Sequence, residues 1–365
     1  MNNAKSVSSS PKKDIQVDIT EPQLNIDTEL FKRFRLIVVA YSDVERDQFP
    51  TEEAYEAEAE VISRAQRVAD YIRDMAIEVK CYPADEYFLT NILVDKPDLV
   101  INLVDTLKGK DRLQTSVPAA LDMLDIPYTG AGMQGLMIGN NRYITKQLMT
   151  AQKIPTPPFQ YISKTSIKIK ESIGLPLIVK LNESGGSVGI DNNAVQETFD
   201  DANKRVKEMI DTYHIPVIVE KFIDGSEVTA TVFDDGLKKH IFLAKKIFNF
   251  IPDGKHAFTS LESYHVKDSY TYEKVDKKLA SKIEPDVLKA FTILRLRDYG
   301  KFDIRVDGKS GKVYITDSNP NTAFGPSIGL PFTEIADLYG LTFIEILKSM
   351  LTKYASKLSA SAPPT

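Results

Sequence analysis

Apolar and polar positions fall into blocks whose period changes along the chain. "FRLIVVAY", from Phe34 to Tyr41, is a short apolar, β-branched run and reads as a buried parallel strand. From Thr51 to Val79 the pattern reads as one long helix. Ala57, Val61, Ala65, Val68, Ile72 and Met75 recur at steps of three and four, and Thr51, Glu53 and Glu56 suit its first turn. "VKCYPA" and "PDLVINLVD" read as further strands. "VPAALDMLDIPYTG" reads as a helix followed by a turn at Pro127 and Gly130. Strands alternating with helices predict a small open α/β sheet.

Near Gly130 a second unit begins. "NNRYITKQLMTAQKIPTPP" reads as a helix stopped by Pro155 and Pro157. "FQYIS" and "LPLIVK" are strands flanking "SIKIKES". Then Ser184, Gly185, Gly186 and Ser187 separate "LPLIVK" from "SVGIDNNAV", which also reads as strand. A plain hairpin needs about two turn residues. This longer turn, led by Lys180, is either a surface turn or a flap of bare N–H groups over phosphate. A helix over "QETFDDANKRVKEMIDTY" follows, then strand, turn and strand over "PVIVEKFIDGSEVTATVFDDG", with the turn at Asp224 and Gly225. A third unit runs through "KKHIFLAKKIF", a loop-rich stretch to about Tyr272, and a helix over "EPDVLKAFTILRLRDYG". Two strands, "KFDIRVD" and "KVYITDSN", and a last helix over "FIEILKSMLTKYA" complete it.

At 365 residues the chain is too long for one ordinary core, so two or three domains are expected. The pattern divides it into an N-terminal unit (31–130), a central unit (131–220) and a C-terminal unit (221–357), between polar tails at 1–30 and 358–365. An apolar fraction of 42% and a charged fraction of 27% are those of a globular protein. Net charge is −5, so no basic field points to nucleic acid. Cys81 is the single cysteine, which fits a reducing compartment and a structural thiol. No apolar run approaches the roughly 20 residues of a membrane span, and the first residues lack an apolar signal core, so neither membrane nor secretion is expected.

Three constellations suggest chemistry. "DIRVDGKSGKVYITDSN" reads as a hairpin turning between Gly308 and Gly311, which sets Asp303 beside Asp317. Asp317 and Asn319 are two apart and share a face. Three oxygen ligands on one face suit Mg²⁺; the plainer alternative is a pair of solvated carboxylates at a turn. In "VIVEKFIDGSE" an apolar strand runs into Glu220, and Glu227 follows. Such a strand exit can hold a purine, and Glu227 a ribose; the alternative is an edge strand with solvated glutamates. Arg142, Lys180, Lys267, Lys301 and Arg305 supply cations of the kind a triphosphate needs, although any one alone is an ordinary surface charge. His214, His240, His256 and His265 lack zinc-ligand spacing, and there is neither a P-loop nor a GxGxxG turn.

In order and spacing, "DIPYTGAG", "NNRYITKQLMTAQKIPTPPF", "LPLIVKLNESGGSVGI", "VIVEKFIDGSE", "YGKFDIRVD" and "ITDSNPN" together resemble the ATP-grasp superfamily, and within it the D-alanine–D-alanine ligase-like proteins. The likeness runs from about Phe34 to Ala355. It implies an α/β (α+β) ATP-grasp fold with an N-terminal open parallel-sheet domain, a central domain and a C-terminal domain. It implies ATP bound by Arg142 and Lys180 on the α- and β-phosphates, and by a flap of Gly185, Gly186, Ser187 and Val188. Glu220, with the backbone of Lys221 and Ile223, would clamp adenine; Glu227 would contact ribose and Lys267 the γ-phosphate. Asp303, Asp317 and Asn319 would hold Mg²⁺ (two ions, with Mn²⁺ as a substitute). Lys301 stands where relatives carry an arginine that steadies the acyl-phosphate, and with Arg305 it is assigned to catalysis.

Several positions depart from the family. Arg142 replaces a lysine, Asp317 a glutamate and Lys301 an arginine; "AYSDVERDQ", "NLVDTLKGKDRLQTSVPAAL" and "NPNTAFGPSIG" depart from the ligase motifs and look like the family's divergent branch. The resemblance implies an ATP-dependent carboxylate–amine ligase acting through an acyl-phosphate on small-molecule carboxylate and amine substrates, cytoplasmic and homodimeric. A non-catalytic nucleotide-binding module and a small-molecule kinase on the same fold remain as alternatives.

Overall fold

The computed structural model describes residues 22–185, 188–249, 251, 256–260, 269–326 and 329–358, the side chains of residues 53 and 57 excepted. Its strands form three sheets. The first contains β1 (Ile37–Tyr41), β2 (Val79–Pro83) and β3 (Leu99–Leu103) in the order β2-β1-β3, all parallel. β1 and β3 are almost wholly buried because helices cover both faces, as their unbroken apolar runs require. On one side lies α2 (Val61–Arg73), on the other α3 (Phe88–Asp95) and α4 (Ser116–Met123); α1 (Glu52–Ala59) precedes α2, and its Ala54 packs on the core of the second sheet.

The single long helix expected over 51–79 is instead two, broken at Glu60. Glu52, Glu56 and Glu60 repel at i,i+4 spacing, and burial of the apolar stripe starts only at Val61. Thr51 still caps the first piece, its hydroxyl accepting from Ala54 N–H. The strand expected from Phe34 begins at Ile37. Helix α3 had no counterpart in the sequence reading; it ends at Lys96 in the left-handed conformation.

The second sheet is antiparallel and contains β4 (Phe159–Ile162), β5 (Leu177–Leu181), β6 (Val195–Gln196) and β7 (Val217–Lys221) in the order β4-β7-β5-β6. Helix α5 (Met133–Gly139) and helix α6 (Arg142–Ala151) precede it, and α7 (Phe199–Tyr213) packs on it. The segment "SVGIDNNAV" does not form the expected strand: turns fill it, and only Val195 and Gln196 pair with β5. Its Asp191, Asn192 and Asn193 favour turns over ladder pairing.

The third sheet, β10-β9-β8-β11-β12, contains β8 (Gly225–Asp234), β9 (Lys239–Phe248), β10 (Tyr270–Lys274), β11 (Tyr299–Asp307) and β12 (Val313–Asn319). Helix α8 (Lys277–Ile293) packs against one face. It starts seven residues before the expected Glu284, at an N-cap Asp276 that accepts from Lys278 and Leu279 N–H, and runs through Pro285. Pro285 is exposed, so the carbonyl it leaves without a partner can turn to water. Helices α9 (Pro331–Leu338) and α10 (Phe343–Ala355) close the chain. Phe332, Phe343 and Met350 from them share a core with Ile37, Val39 and Val68 of the first unit and Phe233 and Phe242 of the third sheet. That shared core ties the first sheet to the third.

Candidate active site

The β11–β12 hairpin carries the acidic end of the cleft. Its register pairs Asp303 with Asp317 and Lys301 with Asn319, as the sequence pattern requires. A bulge then puts Thr316 outside the pairing, between Asp317 and Ile315. The bulge turns the Thr316 carbonyl toward Lys146, whose ammonium donates to it at 2.9 Å. Both oxygens of Asp303 accept from Lys301 Nζ, at 2.8 and 2.7 Å, and Asn319 Nδ2 donates to Asp303 Oδ2 at 3.2 Å. The ammonium thus occupies the position where a cation is most favourable.

Asp317 pairs differently. Arg142 Nε and Nη2 both donate to its Oδ2, at 2.9 and 2.6 Å. Arg142 Nη1 donates to the carbonyls of Leu181 (2.7 Å) and Ser184 (2.9 Å) at the base of the expected flap. Burial pushes the Asp317 carboxyl up, but Arg142 and Lys180 outweigh it and hold it below its ordinary value. Arg142 was expected on the α- and β-phosphates; in the structure it braces the base of the flap against Asp317. Its position is set by Asn141, which caps α6, and by Asn182, whose carbonyl and side chain accept from the N–H groups of Arg142 and Tyr143.

One turn along α6, Lys146 is 1% exposed and sits 3.2 Å from Glu220 Oε2; Lys180 sits 3.5 Å from the same oxygen. Burial lowers the Lys146 pKa, with Glu220 opposing. Lys146 was not among the expected site residues, though its i,i+4 spacing from Arg142 puts both on one face. Among the described residues Glu220 Oε1 is buried without a hydrogen-bond partner. A buried unpaired acceptor is costly unless a ligand donates to it.

Beside it the strand ladder leaves a second acceptor. Lys221 N–H donates to Pro158 carbonyl at 2.9 Å, and Pro158 has no N–H with which to return the bond. The Lys221 carbonyl is therefore left by the ladder for another donor. Ile178, Phe222 and Phe258 give this end apolar walls.

Glu227 is 7% exposed. Lys246 Nζ donates to its Oε1 (2.9 Å), Thr259 N–H to its Oε2 (3.0 Å), and Arg305 Nη1 reaches Oε2 at 3.4 Å. Burial pushes this carboxyl up, but Lys246 and Arg305 more than reverse that and hold it at about 2. A ribose at this point would share the carboxylate with these groups.

The assignment of Arg305 to catalysis requires correction. Its Nε donates to Ile223 carbonyl (2.9 Å), Nη1 to Ala257 carbonyl (2.8 Å) and Nη2 to Gly225 carbonyl (3.2 Å), and its guanidinium lies over the Phe222 ring. It is a positioning residue for the strand exit. Val188 also differs: its side chain is buried in the core of the second sheet, and its N–H donates to Gly185 carbonyl at 3.2 Å. It roots the turn and does not face the cleft. Gly185 N–H donates to Asp111 Oδ2 at 2.8 Å, across from the N-terminal unit. Gly186, Ser187 and Lys267 lie outside the described residues.

At the far end of the cleft stand Glu58, Arg64, Asp105 and Asp111, none of them expected from sequence. Arg64 Nη2 donates to Asp105 Oδ2 at 2.6 Å, while its buried Nε has no partner among the described residues. Burial, with Asp105 and Asp111 nearby, pushes the Glu58 carboxyl well up. Burial also pushes Asp111 up, to about 6. Of the thirteen expected residues that are described, all except Val188 line this one cleft.

The donor set at the hairpin fits a magnesium ion: two carboxylates on paired strands, already attracting cations, and an amide beside them. Among the described residues no group of three or more His, Cys, Asp or Glu side chains could hold a metal, so the amide of Asn319 is needed in that set.

Comparison with known proteins agrees with this geometry. The family described as D-ala D-ala ligase C-terminus matches residues 148–352, more than half of the chain. The chain is 26% identical over 284 residues to a D-alanine–D-alanine ligase of Desulforamulus reducens, covering 71% of this chain and 86% of that one. It is 26% identical over 305 residues to the same-named protein of Acinetobacter baylyi, covering 80% and 92%. In structure it is similar to a D-alanine–D-alanine ligase of Bacillus anthracis complexed with ATP, with a TM-score of 0.67 at 18% identity, covering 88% of this chain and 97% of that one. D-alanyl-alanine synthetase A of Vibrio cholerae gives the same TM-score at 16% identity, covering 88% and 99%. The three sheets are those of an ATP-grasp fold, and the chain belongs to the D-ala D-ala ligase family.

Proposed function

We propose that the protein is an ATP-dependent carboxylate–amine ligase. The observation that carries this is the convergence of Arg142 and Lys180 with Asp303 and Asp317 in one cleft that ends in two acceptors unclaimed among the described residues, Glu220 Oε1 and the Lys221 carbonyl. Those acceptors suit the exocyclic amine of adenine. The apolar walls suit its ring, and Lys180 and Lys301, which line the same cleft, suit a triphosphate.

In the proposed reaction a substrate carboxylate oxygen attacks the γ-phosphorus of ATP and the bond to the β–γ bridging oxygen breaks. ADP leaves and an acyl-phosphate remains. The free amine of the second substrate attacks the acyl carbon, a tetrahedral centre forms, its C–O bond to phosphate breaks, and the nitrogen loses a proton. Phosphorylation turns a poor leaving oxygen into a good one. Lys180 neutralises phosphate charge, and the buried Lys146 pairs with Glu220 behind it. Lys301, on a flexible stem beside Asp303, is the group able to follow charge onto the transferred phosphate. Asp303, Asp317 and Asn319 would hold Mg²⁺, which when bound neutralises the phosphate oxygens. Glu58, Arg64 and Asp105 form a mixed-charge end that suits a small zwitterion, so the substrates are small amino acids, or a carboxylate with an amino acid.

The proposal includes three domains, 31–130, 131–220 and 221–357, which the three sheets support. It also includes a homodimer and a cytoplasmic site, both resting on family resemblance. No helix among the described residues is long and apolar enough to cross a membrane. A second reading, a nucleotide-binding module without turnover, is favoured by the saturation of Arg142 and Lys301 with carboxylates. Mixing the protein with ATP, Mg²⁺ and a panel of amino acids, and reading free phosphate, separates them. Release that needs an amino acid supports the ligase. Tight nucleotide binding without release supports the module, and phosphate retained on a product supports a kinase.

A further inference from the structure

We infer that the cleft holds one divalent ion rather than two, and that the Arg142 guanidinium takes the place of the second on Asp317. This rests on the ligase reading. Asp317 Oδ2 already accepts two N–H bonds from Arg142, at 2.9 and 2.6 Å. Its Oδ1 accepts from Ser318 N–H at 3.0 Å, which leaves one side of one oxygen for a metal. The guanidinium is not free to leave. It also donates to the Leu181 and Ser184 carbonyls and is 9% exposed. Its own backbone N–H donates to Asn182 carbonyl, so both ends of the residue are fixed.

Asp303 is in the opposite condition. Lys301 is its cation, and among the described residues Asp303 is the only partner of that ammonium. A single ammonium on a four-carbon stem can swing off the carboxylate when a metal arrives; a guanidinium held by four bonds cannot. Asn319, whose amide lies against Asp303, can turn its oxygen to the same point. Asp303, Asn319 and the open side of Asp317 Oδ1 therefore make one position.

Charge supports the count. At the hairpin Arg142 and Lys301 already match Asp317 and Asp303 one for one. A second ion on Asp317 would face the guanidinium across a shared oxygen with little water between them. The short aspartate side chain keeps that oxygen close to the guanidinium, away from where phosphates would lie.

The test counts Mn²⁺ bound to the full chain in the presence of a saturating non-hydrolysable ATP analogue, by the loss of the free-ion electron paramagnetic resonance signal. The expected count is one ion per chain. Arg142→Lys, which cannot fork onto Oδ2, is expected to bind two. Asp317→Glu keeps the Leu181 and Ser184 contacts of Arg142 and reaches further into the cleft, so it too is expected to bind two should Arg142→Lys fail to fold. A count of two in the unaltered protein overturns the inference while leaving the ligase reading intact. A count of one that neither variant changes also overturns it. Failure to bind the nucleotide analogue at all refutes the ligase reading, and the inference falls with it.

Discussion

Glu227→Gln removes a buried charge while keeping the side chain's shape, and its effect can be worked out by two routes. First, it leaves Lys246 (6% exposed) and Arg305 (5% exposed) without their counter-charge. Breaking a buried pair from one side costs about 3–5 kcal/mol. Arg305 keeps its three carbonyl partners, which puts the expectation at the lower end. Second, the folded carboxyl is held at about 2 against an ordinary 4.5. A depressed carboxyl contributes stability that is complete above the unfolded value and is lost as pH falls through the folded one. The difference is worth about 3 kcal/mol. The routes agree, so the variant should lose roughly 3 kcal/mol near neutral pH. Between about pH 5 and 2 the original protein should lose stability more steeply than the variant. Urea denaturation across that range measures both. Adding Lys246→Met should recover part of the loss, because the stranded cation is then gone. A variant within about 1 kcal/mol of the original, with the same acid dependence, would refute the reasoning.

Other perturbations separate the remaining roles. Arg305→Lys should weaken nucleotide binding about tenfold by releasing the strand exit at Ile223 and Gly225; a fall in kcat at unchanged nucleotide affinity, measured by calorimetry and steady-state kinetics, would instead return Arg305 to catalysis. Asp303→Asn combined with Asp317→Asn should abolish Mg²⁺-dependent turnover while nucleotide still binds weakly, and full activity in that double variant would remove the metal assignment. Asp111 is raised by burial to about 6, so its ionised form burdens the fold above that pH. Asp111→Asn, which can still accept from Gly185 N–H, should therefore gain about 1–3 kcal/mol near pH 7.5 and little near pH 4; equal effects at both would contradict the account.

What could be read from the sequence was what local pattern determines. The hairpin register that pairs Asp303 with Asp317 follows from strand alternation and turn length, and the structure has it. The apolar run into Glu220 likewise leads to the strand exit. Contacts between distant segments were not legible. Nothing local says that Arg142 would be spent on Asp317, 175 residues away, or Arg305 on three carbonyls. Lys246 lies in an ordinary-looking strand, and only the fold brings it to Glu227. The Glu58, Arg64, Asp105 and Asp111 group joins two α-helices, a loop and a short 3-10 helix of the N-terminal unit, so no spacing announces it. Helix ends failed where charge or proline misled: repelling glutamates split α1 from α2, and Pro285 marked a helix start that in fact lies at Lys277.

The claim at the centre is that ATP activates a carboxylate. It is tested most directly with a carboxylate substrate labelled with ¹⁸O in both oxygens, followed by mass spectrometry of the phosphate released. The account predicts one labelled oxygen in each phosphate, carried over when the acyl C–O bond breaks. Unlabelled phosphate formed together with the ligated product would mean that no acyl-phosphate was made, and would contradict it.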